Sequence, residues 1–384
     1  MTATSDFVVI GAGMMGAPCA RHLAEAGHSV ALIAAPETRQ GPGPRASHWD
    51  AGRITRRVAS DPDWSLLSRR SIARYRDLEA RSGERFFGEV GAVMAGLREG
   101  PLTGFTDGLL TVAEGLDDPR PSIGPDGHGW TLPPGSVASH ERRLGGWIDP
   151  RAAARAQIAC ARDAGCVVHH GHAVARDGAA VTLADGTRLS GGHVVVATGP
   201  HAASDGLLPG RPRLTVWGRT VAFVRVSEAE AARLADLPTC IWVPGPDWDH
   251  DLYALPPIRY PDGRHYLKIG GEVVSPVLHD AEAIRAWYAT PGDAAVGERL
   301  LAALRLALPG LAEAGTHTES CAVVWSDTGY PYVDAAGPGV TVLCGGNGAA
   351  AKSGDEIGRL GAVVASGGSL DGEGYAADFR AVWD

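Results

Sequence analysis

The apolar and polar positions open on a buried strand. Phe7-Val8-Val9-Ile10 is an uninterrupted apolar run, and Gly11-Ala12-Gly13-Met14-Met15-Gly16 follows at once. Ala17, Ala20, Leu23 and Ala24 then recur at helical spacing up to Gly27, a natural helix stop, and 29–33 returns to a strand pattern. This strand–turn–helix–strand order predicts a dinucleotide-binding unit. Gly11 makes the tight turn, Gly13 lets a pyrophosphate approach the backbone, and Gly16 lets helix and strand pack closely, with Met14 and Met15 lining the turn. The helix N-terminus adds unpaired N–H groups for the phosphates. A glycine triplet alone marks only a flexible turn; its place between strand and helix favours a ligand. The motif itself leaves NAD and FAD open.

Further along, 63–83 carries Leu66, Leu67, Ile72, Tyr75 and Leu78 at helical spacing, and 86–96 reads as a strand region. Residues 97–145 are loop-rich. Asp149-Pro150 predicts a capped helix to about residue 164. Short strands are expected at 166–169, 174–176, 180–183 and 188–189, with Asp185-Gly186 as a hairpin turn. A buried strand at 193–199 ends in Thr198-Gly199. Residues 214–226 alternate like a sheet strand and 228–237 like a surface helix. Residues 252–255 and 265–274 predict a hairpin around Pro261-Asp262-Gly263. Helices at 281–288 and 294–308 precede strands at 319–325 and 340–344. A turn, Gly345-Gly346-Asn347-Gly348, and a helix over 352–366 close the pattern. The whole predicts an α/β fold of two interleaved domains. A Rossmann-like nucleotide domain is expected from 1–90, 146–212 and 318–384, and an antiparallel-sheet substrate domain (α+β) from 91–145 and 213–317.

Composition narrows the partners. At 384 residues and 45% hydrophobic, the chain can bury a large core. Its net charge of −9, without a long basic run, argues against nucleic acid and anionic membranes. No stretch reaches the roughly 20 apolar residues of a membrane helix. Six scattered cysteines with no C-x-x-C pair favour reduced thiols over disulfides or a metal site. With no basic leader before the first strand, the expectation is a cytoplasmic protein.

Four blocks together resemble the FAD-dependent D-amino acid oxidase superfamily, closest to monomeric sarcosine oxidase and the N-methyl amino acid oxidases. They are Gly11/Gly13/Gly16, then Ser47-His48-x-Asp50-x-x-Arg53-Ile54-x-Arg56, then Tyr253-x-x-Pro256 with Leu267-Lys268-Ile269-Gly270, and finally Gly348-x-x-x-Lys352 after the strand 340–344. The resemblance implies FAD in a Rossmann-like domain of the GR2 type, a small-molecule amine substrate, O2 as oxidant and a monomer. It places Arg53 near the flavin, with Ser47, His48, Ile54, Thr198, Gly199, Gly346, Asn347 and Gly348 among the cofactor contacts. Arg56 and Lys352, helped by Tyr253, are implied to clamp a substrate carboxylate, and Lys268 to promote reaction of reduced flavin with oxygen.

The residue types suit those roles, each against a plainer reading. A guanidinium forks onto a carboxylate and an ammonium adds a point charge. Arg56 could instead share a basic cluster with solvent beside Arg53 and Arg57, of which Arg57 is expected to be solvated. Lys352 starts a helix, where a cation opposes the dipole and needs another reason to be present. Lys268, in an apolar strand, is either a snorkelling edge residue or a buried cation placed to stabilise developing negative charge. Trp217, Trp242 and Trp325 are expected in the core rather than a pocket.

Departures from the family shape the rest. Ala34 stands where an acid usually holds the adenosine ribose, and Glu37 is three residues later; this weakens NAD as the cofactor. Val323 falls at the position of covalent attachment in several sarcosine oxidases, with Cys321 two residues earlier, so FAD is expected to bind non-covalently. Glu272 replaces a frequent histidine and could face a cationic or polyhydroxylated substrate, or simply solvent. Ala349-Ala350-Ala351 before Lys352 lacks the usual second glycine. An amine oxidase is therefore expected. A dehydrogenase or tailoring oxidase on a non-amino-acid substrate, and a redox-silent FAD-binding subunit, remain as alternatives.

Overall fold

A computed structural model describes residues 4–35, 45, 47, 50–271 and 275–384. β1 (Thr4–Ile10), α1 (Gly16–Glu25) and β2 (Val30–Ala34) form the opening unit, followed by β3 (Arg53–Thr55) and α2 (Pro62–Ile72). Asp61 caps α2, accepting from the Trp64 N–H at 2.9 Å. The single helix expected over 63–83 is two. The ladder breaks where Arg74 N donates to Ser71 O, and α3 (Tyr75–Ser82) starts beyond it.

β4 (Phe87–Gly88) and β5 (Ala92–Leu97) precede a segment that corrects the loop-rich reading of 97–145. It holds α4 (Thr103–Gly115), β6 (Ser122–Gly124) and β7 (Ser136–Glu141). Glycine and threonine give α4 poor helix propensity. Packing holds it: Leu109, Leu110 and Ala113 are buried, and a Cβ on Gly108 would lie 2.1 Å from the Ser60 carbonyl oxygen.

β8 (Gly146–Ile148) leads into α5 (Pro150–Asp163), where Asp149 accepts from the Arg151 and Ala152 N–H groups. Then come β9 (Val167–His170), β10 (Ala173–Asp177), β11 (Ala180–Leu183) and β12 (Arg188–Val196), the last joining two segments expected as separate strands. β13 (Leu214–Val226), α6 (Glu228–Arg233) and β14 (Thr239–Trp242) follow. β15 (Leu252–Arg259) and β16 (His265–Gly270) make the expected hairpin. The chain ends through α7 (Ala281–Tyr288), α8 (Ala294–Ala307), β17 (Gly315–Ser326), β18 (Tyr332–Gly337), β19 (Val340–Cys344) and α9 (Ala350–Ala365). β14 and β18 lie where no strand is expected.

One sheet is parallel at its centre. β1 sits between β2 and β12, β9 extends it beyond β2, and β19 runs parallel to the second half of β12. The antiparallel strands β10, β11 and β18 complete that sheet. α1 and α9 cover one face through Leu23, Ile357 and Leu360. A second sheet runs β17-β13-β16-β15-β14-β5-β7-β6, antiparallel except between β14 and β5, with α8 against it. β3, β8 and β4 form a small third sheet. No helix among the described residues is long and apolar enough to cross a membrane.

Candidate active site

The carboxyl ends of β1, β2 and β12 open onto a cavity of about 1330 Å³. Single small-molecule sites span about 300–1,000 Å³, so there is room for a dinucleotide and a substrate together. Gly11, Gly13, Met14 and Met15 line it at the N-terminus of α1. Gly11 has φ +104°, and a Cβ there would lie 2.3 Å from the Ala197 carbonyl oxygen; a Cβ on Gly16 would lie 1.9 Å from the Gly11 oxygen. Helix and strand can approach this closely only as glycines. Gly16 is itself buried and acts through that packing.

Thr198, Gly199, Gly346, Asn347 and Gly348 line the same cavity. Thr198 Oγ1 donates to Asp205 Oδ2 at 2.5 Å. Asn347 takes a left-handed φ of 46°; its Oδ1 accepts from Ser326 N at 2.8 Å, which ties the glycine turn to β17. At the far end Ala34 is in the wall, together with Arg45, Arg162, His170 and His172. Two guanidiniums, those of Arg45 and Arg162, thus share the wall with the position where the family usually carries an acid. Glu37, like His48 and Glu272, lies outside the described residues.

At the other end Arg56, Tyr253 and Lys352 share the wall. Arg56 donates through Nη1 to the Val58 carbonyl, while its buried Nε meets no acceptor. Lys352, 5% exposed, has Nζ 3.5 Å from the Trp64 carbonyl oxygen and 5.5 Å from the Trp64 ring centre. Burial and then the neighbouring Arg56 push the Lys352 ammonium well below its usual pKa, and burial lowers that of Arg56. The two crowded cations touch carbonyl and aromatic groups directly, while Glu141, Asp61 and Asp251 act on them only at longer range, and the pair makes a site for an anion.

Lys268 takes the buried alternative. It is 1% exposed and does not line the cavity. Nζ donates to both Asp50 oxygens at 2.9 and 3.0 Å and to the Gly52 carbonyl at 2.9 Å. Arg53 Nη1 holds Asp50 Oδ2 from the other side at 2.5 Å, and Nη2 donates to the Ser47 carbonyl. Burial would raise the Asp50 pKa, but Arg53 and Lys268 outweigh it and hold the carboxyl well below the usual range. The triad keeps one net positive charge, and Arg53 presents it to the cavity together with Ile54. Tyr253 lies across the hairpin with its ring 5.8 Å from Lys268 Nζ. Gly270 makes that possible, since a Cβ there would lie 2.5 Å from the Tyr253 hydroxyl.

Two expectations are corrected. Arg57 is not solvated: it is 6% exposed, and its Nε donates to Glu141 Oε1 at 2.8 Å. Arg56 and Arg57 point to opposite environments, as neighbours on an extended segment do. Trp325 is 43% exposed and lines the cavity, whereas Trp242 is core, stacked on Trp130. Asp251, which the motifs do not single out, also lines the cavity. Its signal is its place two residues before Tyr253, immediately ahead of β15. Among the described residues no metal-binding cluster is present, and all six cysteines are free.

The comparisons agree with this geometry. No curated protein sequence matches the chain. Among solved structures, NikD, described as an unusual amino acid oxidase essential for nikkomycin biosynthesis, superposes with a TM-score of 0.73 at 22% identity, covering 100% of this chain and 99% of that one. Iminodiacetate oxidase from Chelativorans sp. BNC1 gives 0.70 at 20% identity, covering 95% and 97%. Glycine oxidase from Geobacillus kaustophilus gives 0.67 at 17%, covering 99% of each chain. At these identities the likeness is one of fold. The assignment comes from the FAD-dependent oxidoreductase family designated DAO, which matches residues 6–362. A glycine turn at a helix N-terminus and a cavity long enough for dinucleotide plus substrate fit that cofactor, and the chain belongs to the DAO family of FAD-dependent oxidoreductases.

Proposed function

We propose that the protein oxidises the C–N bond of a carboxylated amine, an amino acid or a close relative, with a secondary amine favoured. The observation that carries this reading is the pair Arg56 and Lys352, buried cations on one cavity wall where the Arg56 Nε has no acceptor. A substrate carboxylate would satisfy both, and each is worth more in a water-poor cavity than in solvent. Bound FAD would accept a hydride from the carbon beside nitrogen and deliver the electrons to O2 as H2O2. The chain's own part is to hold the carboxylate on Arg56 and Lys352, and to pack Tyr253 against the substrate so that the reacting carbon is oriented. The imine released hydrolyses in water. The glycine turn at 11–16, with Thr198, Gly199 and the 346–348 turn, would hold the cofactor. The parallel-centred sheet draws on 4–10, 30–34, 167–196 and 332–344, which supports the proposed two-domain division; the pairing of β17 with β13 argues for a last boundary nearer Ser326.

One observation favours a second reading, a flavin dehydrogenase: Lys268 is neutralised by Asp50 rather than bare toward the cavity. A single assay separates the two. Peroxide release across a panel of amines and amino acids is expected, with O2 at least matching an artificial electron acceptor. Arg56→Ala should raise KM for carboxylated amines by about 30-fold or more, as removing a buried charged partner does. Unchanged affinity in that variant would refute the clamp, and an artificial acceptor far outrunning O2 would favour the dehydrogenase.

A further inference from the structure

Asp251 immediately precedes β15, and side chains on a strand alternate between faces. Leu252 is 1% exposed in the core of the second sheet, so Asp251 and Tyr253 point the other way, and both line the cavity. Among the described residues the Asp251 carboxylate accepts no side-chain hydrogen bond and forms no ion pair within 4 Å. Its neighbours differ: Asp249 and His250 are hydrogen-bonded to each other at 2.8 Å.

The register gives its position along the site. Leu255 pairs with Lys268 and Tyr253 with Gly270. Asp251 therefore lies about 7 Å beyond Tyr253 and about 14 Å beyond the level of Lys268, at roughly 3.4 Å per residue. It shares the cavity wall with Ile241, which pairs with Tyr253 in the neighbouring strand. Burial raises the Asp251 pKa and the charge of Arg56 opposes that shift; a substrate carboxylate bound on Arg56 would cancel that support, and a second cation on the substrate would restore it. The cavity wall thus carries Arg56 and Lys352 and, within electrostatic reach of Arg56 but not ion-paired to it, the carboxylate of Asp251. It suits a substrate with an anionic group and a second, separate cation.

We propose that Asp251 is a specificity-determining residue that selects carboxylated amines whose far arm carries an ammonium or guanidinium group. The proposal rests on the carboxylate-clamp reading above and adds the class of the side arm. It does not make Asp251 a base for the reacting amine, because the strand register sets it too far along.

The test compares Nα-methyl-lysine with Nα-methyl-norleucine, which has the same carbon chain without the terminal ammonium. The purified holoenzyme is mixed with each anaerobically, and flavin bleaching and quenching of tryptophan fluorescence are followed against concentration. Wild type should favour the lysine derivative by about 10- to 100-fold in kcat/KM and Kd, the span of a charged hydrogen bond. D251N should lose that preference and keep its activity on the norleucine derivative within about twofold, with an unchanged flavin spectrum showing an intact fold. Equal treatment of the two compounds by wild type, or an equal loss on both in D251N, overturns the proposal. If neither compound bleaches the flavin, the amine oxidase reading fails by itself; the fluorescence titration still decides Asp251, because a lysine preference in Kd that vanishes in D251N upholds it and equal Kd values reject it.

Discussion

Lys268 and Arg53 divide one buried carboxylate between them, and the two cations are not equivalent. Lys268 gives its ammonium to both Asp50 oxygens and to Gly52, whereas Arg53 also reaches the Ser47 carbonyl and approaches Cys321 Sγ at 3.8 Å. Removing Lys268 leaves Asp50 with a guanidinium. Removing the charge of Asp50 leaves two buried cations facing each other. D50N should therefore lose about 3–5 kcal/mol, the usual cost of an uncompensated buried charge, and K268M clearly less. Chemical unfolding of both variants checks the order, and a K268M loss larger than that of D50N would contradict it. The pH sign follows from the lowered Asp50 pKa. Its stabilisation is complete above the ordinary carboxylate value near 3.9 and disappears as pH falls through the lowered one, so the D50N unfolding curve should be flatter on the acid side. If Lys268 assists oxygen, K268M should also slow flavin reoxidation by about 100-fold while leaving reduction by substrate nearly intact, as stopped-flow mixing would show.

Helix α9 brings Lys352 to the cavity, and its glycines set how near it comes. A Cβ on Gly354 would lie 2.0 Å from the Met14 carbonyl oxygen, and one on Gly358 would lie 2.7 Å from Cys19 N. The next turn carries Asp355 and Glu356, both buried and paired with Arg74 at 2.6 and 2.8 Å. Gly354→Ala must push α9 away from the glycine turn. It should cost about 1–3 kcal/mol as an overpacked contact, and should weaken FAD retention more than a surface substitution of equal destabilisation. A variant that keeps its flavin through dialysis would disprove the link. Local pattern made α9, α1, α5 and the β15–β16 hairpin legible in the sequence, since each carries a full apolar period with a cap or turn. α4 was not legible, because Gly104, Gly108 and three threonines give no local reason for a helix and only its packing partners supply one. Pairs distant in sequence were hidden for the same reason: Asp50 with Lys268 across 218 residues, and Arg57 with Glu141 across 84.

At the scale of the whole molecule, the cavity joins the parallel-centred sheet to the second sheet, so the cofactor would touch segments from nearly every part of the chain. The nucleotide end was readable as one continuous motif; the substrate end was readable only because Arg56, Tyr253 and Lys352 fall in blocks of familiar spacing. How the flavin is held follows from β17. Its pairing with β13 sets Cys321 opposite Arg219 and Val323 opposite Trp217, and both residues line the cavity. Valine offers no nucleophile, and the Cys321 thiol sits 3.8 Å from the Arg53 guanidinium. Non-covalent FAD then binds only the folded chain and stabilises it by mass action, about 2.7 kcal/mol at a free concentration one hundred times Kd. The melting temperature should accordingly rise by several degrees with added FAD and fall again after dialysis. Acid precipitation should leave a colourless pellet and a yellow supernatant in wild type and in C321S alike. A pellet that stays yellow in wild type and bleaches in C321S would show a covalent bond through Cys321 and overturn the assignment.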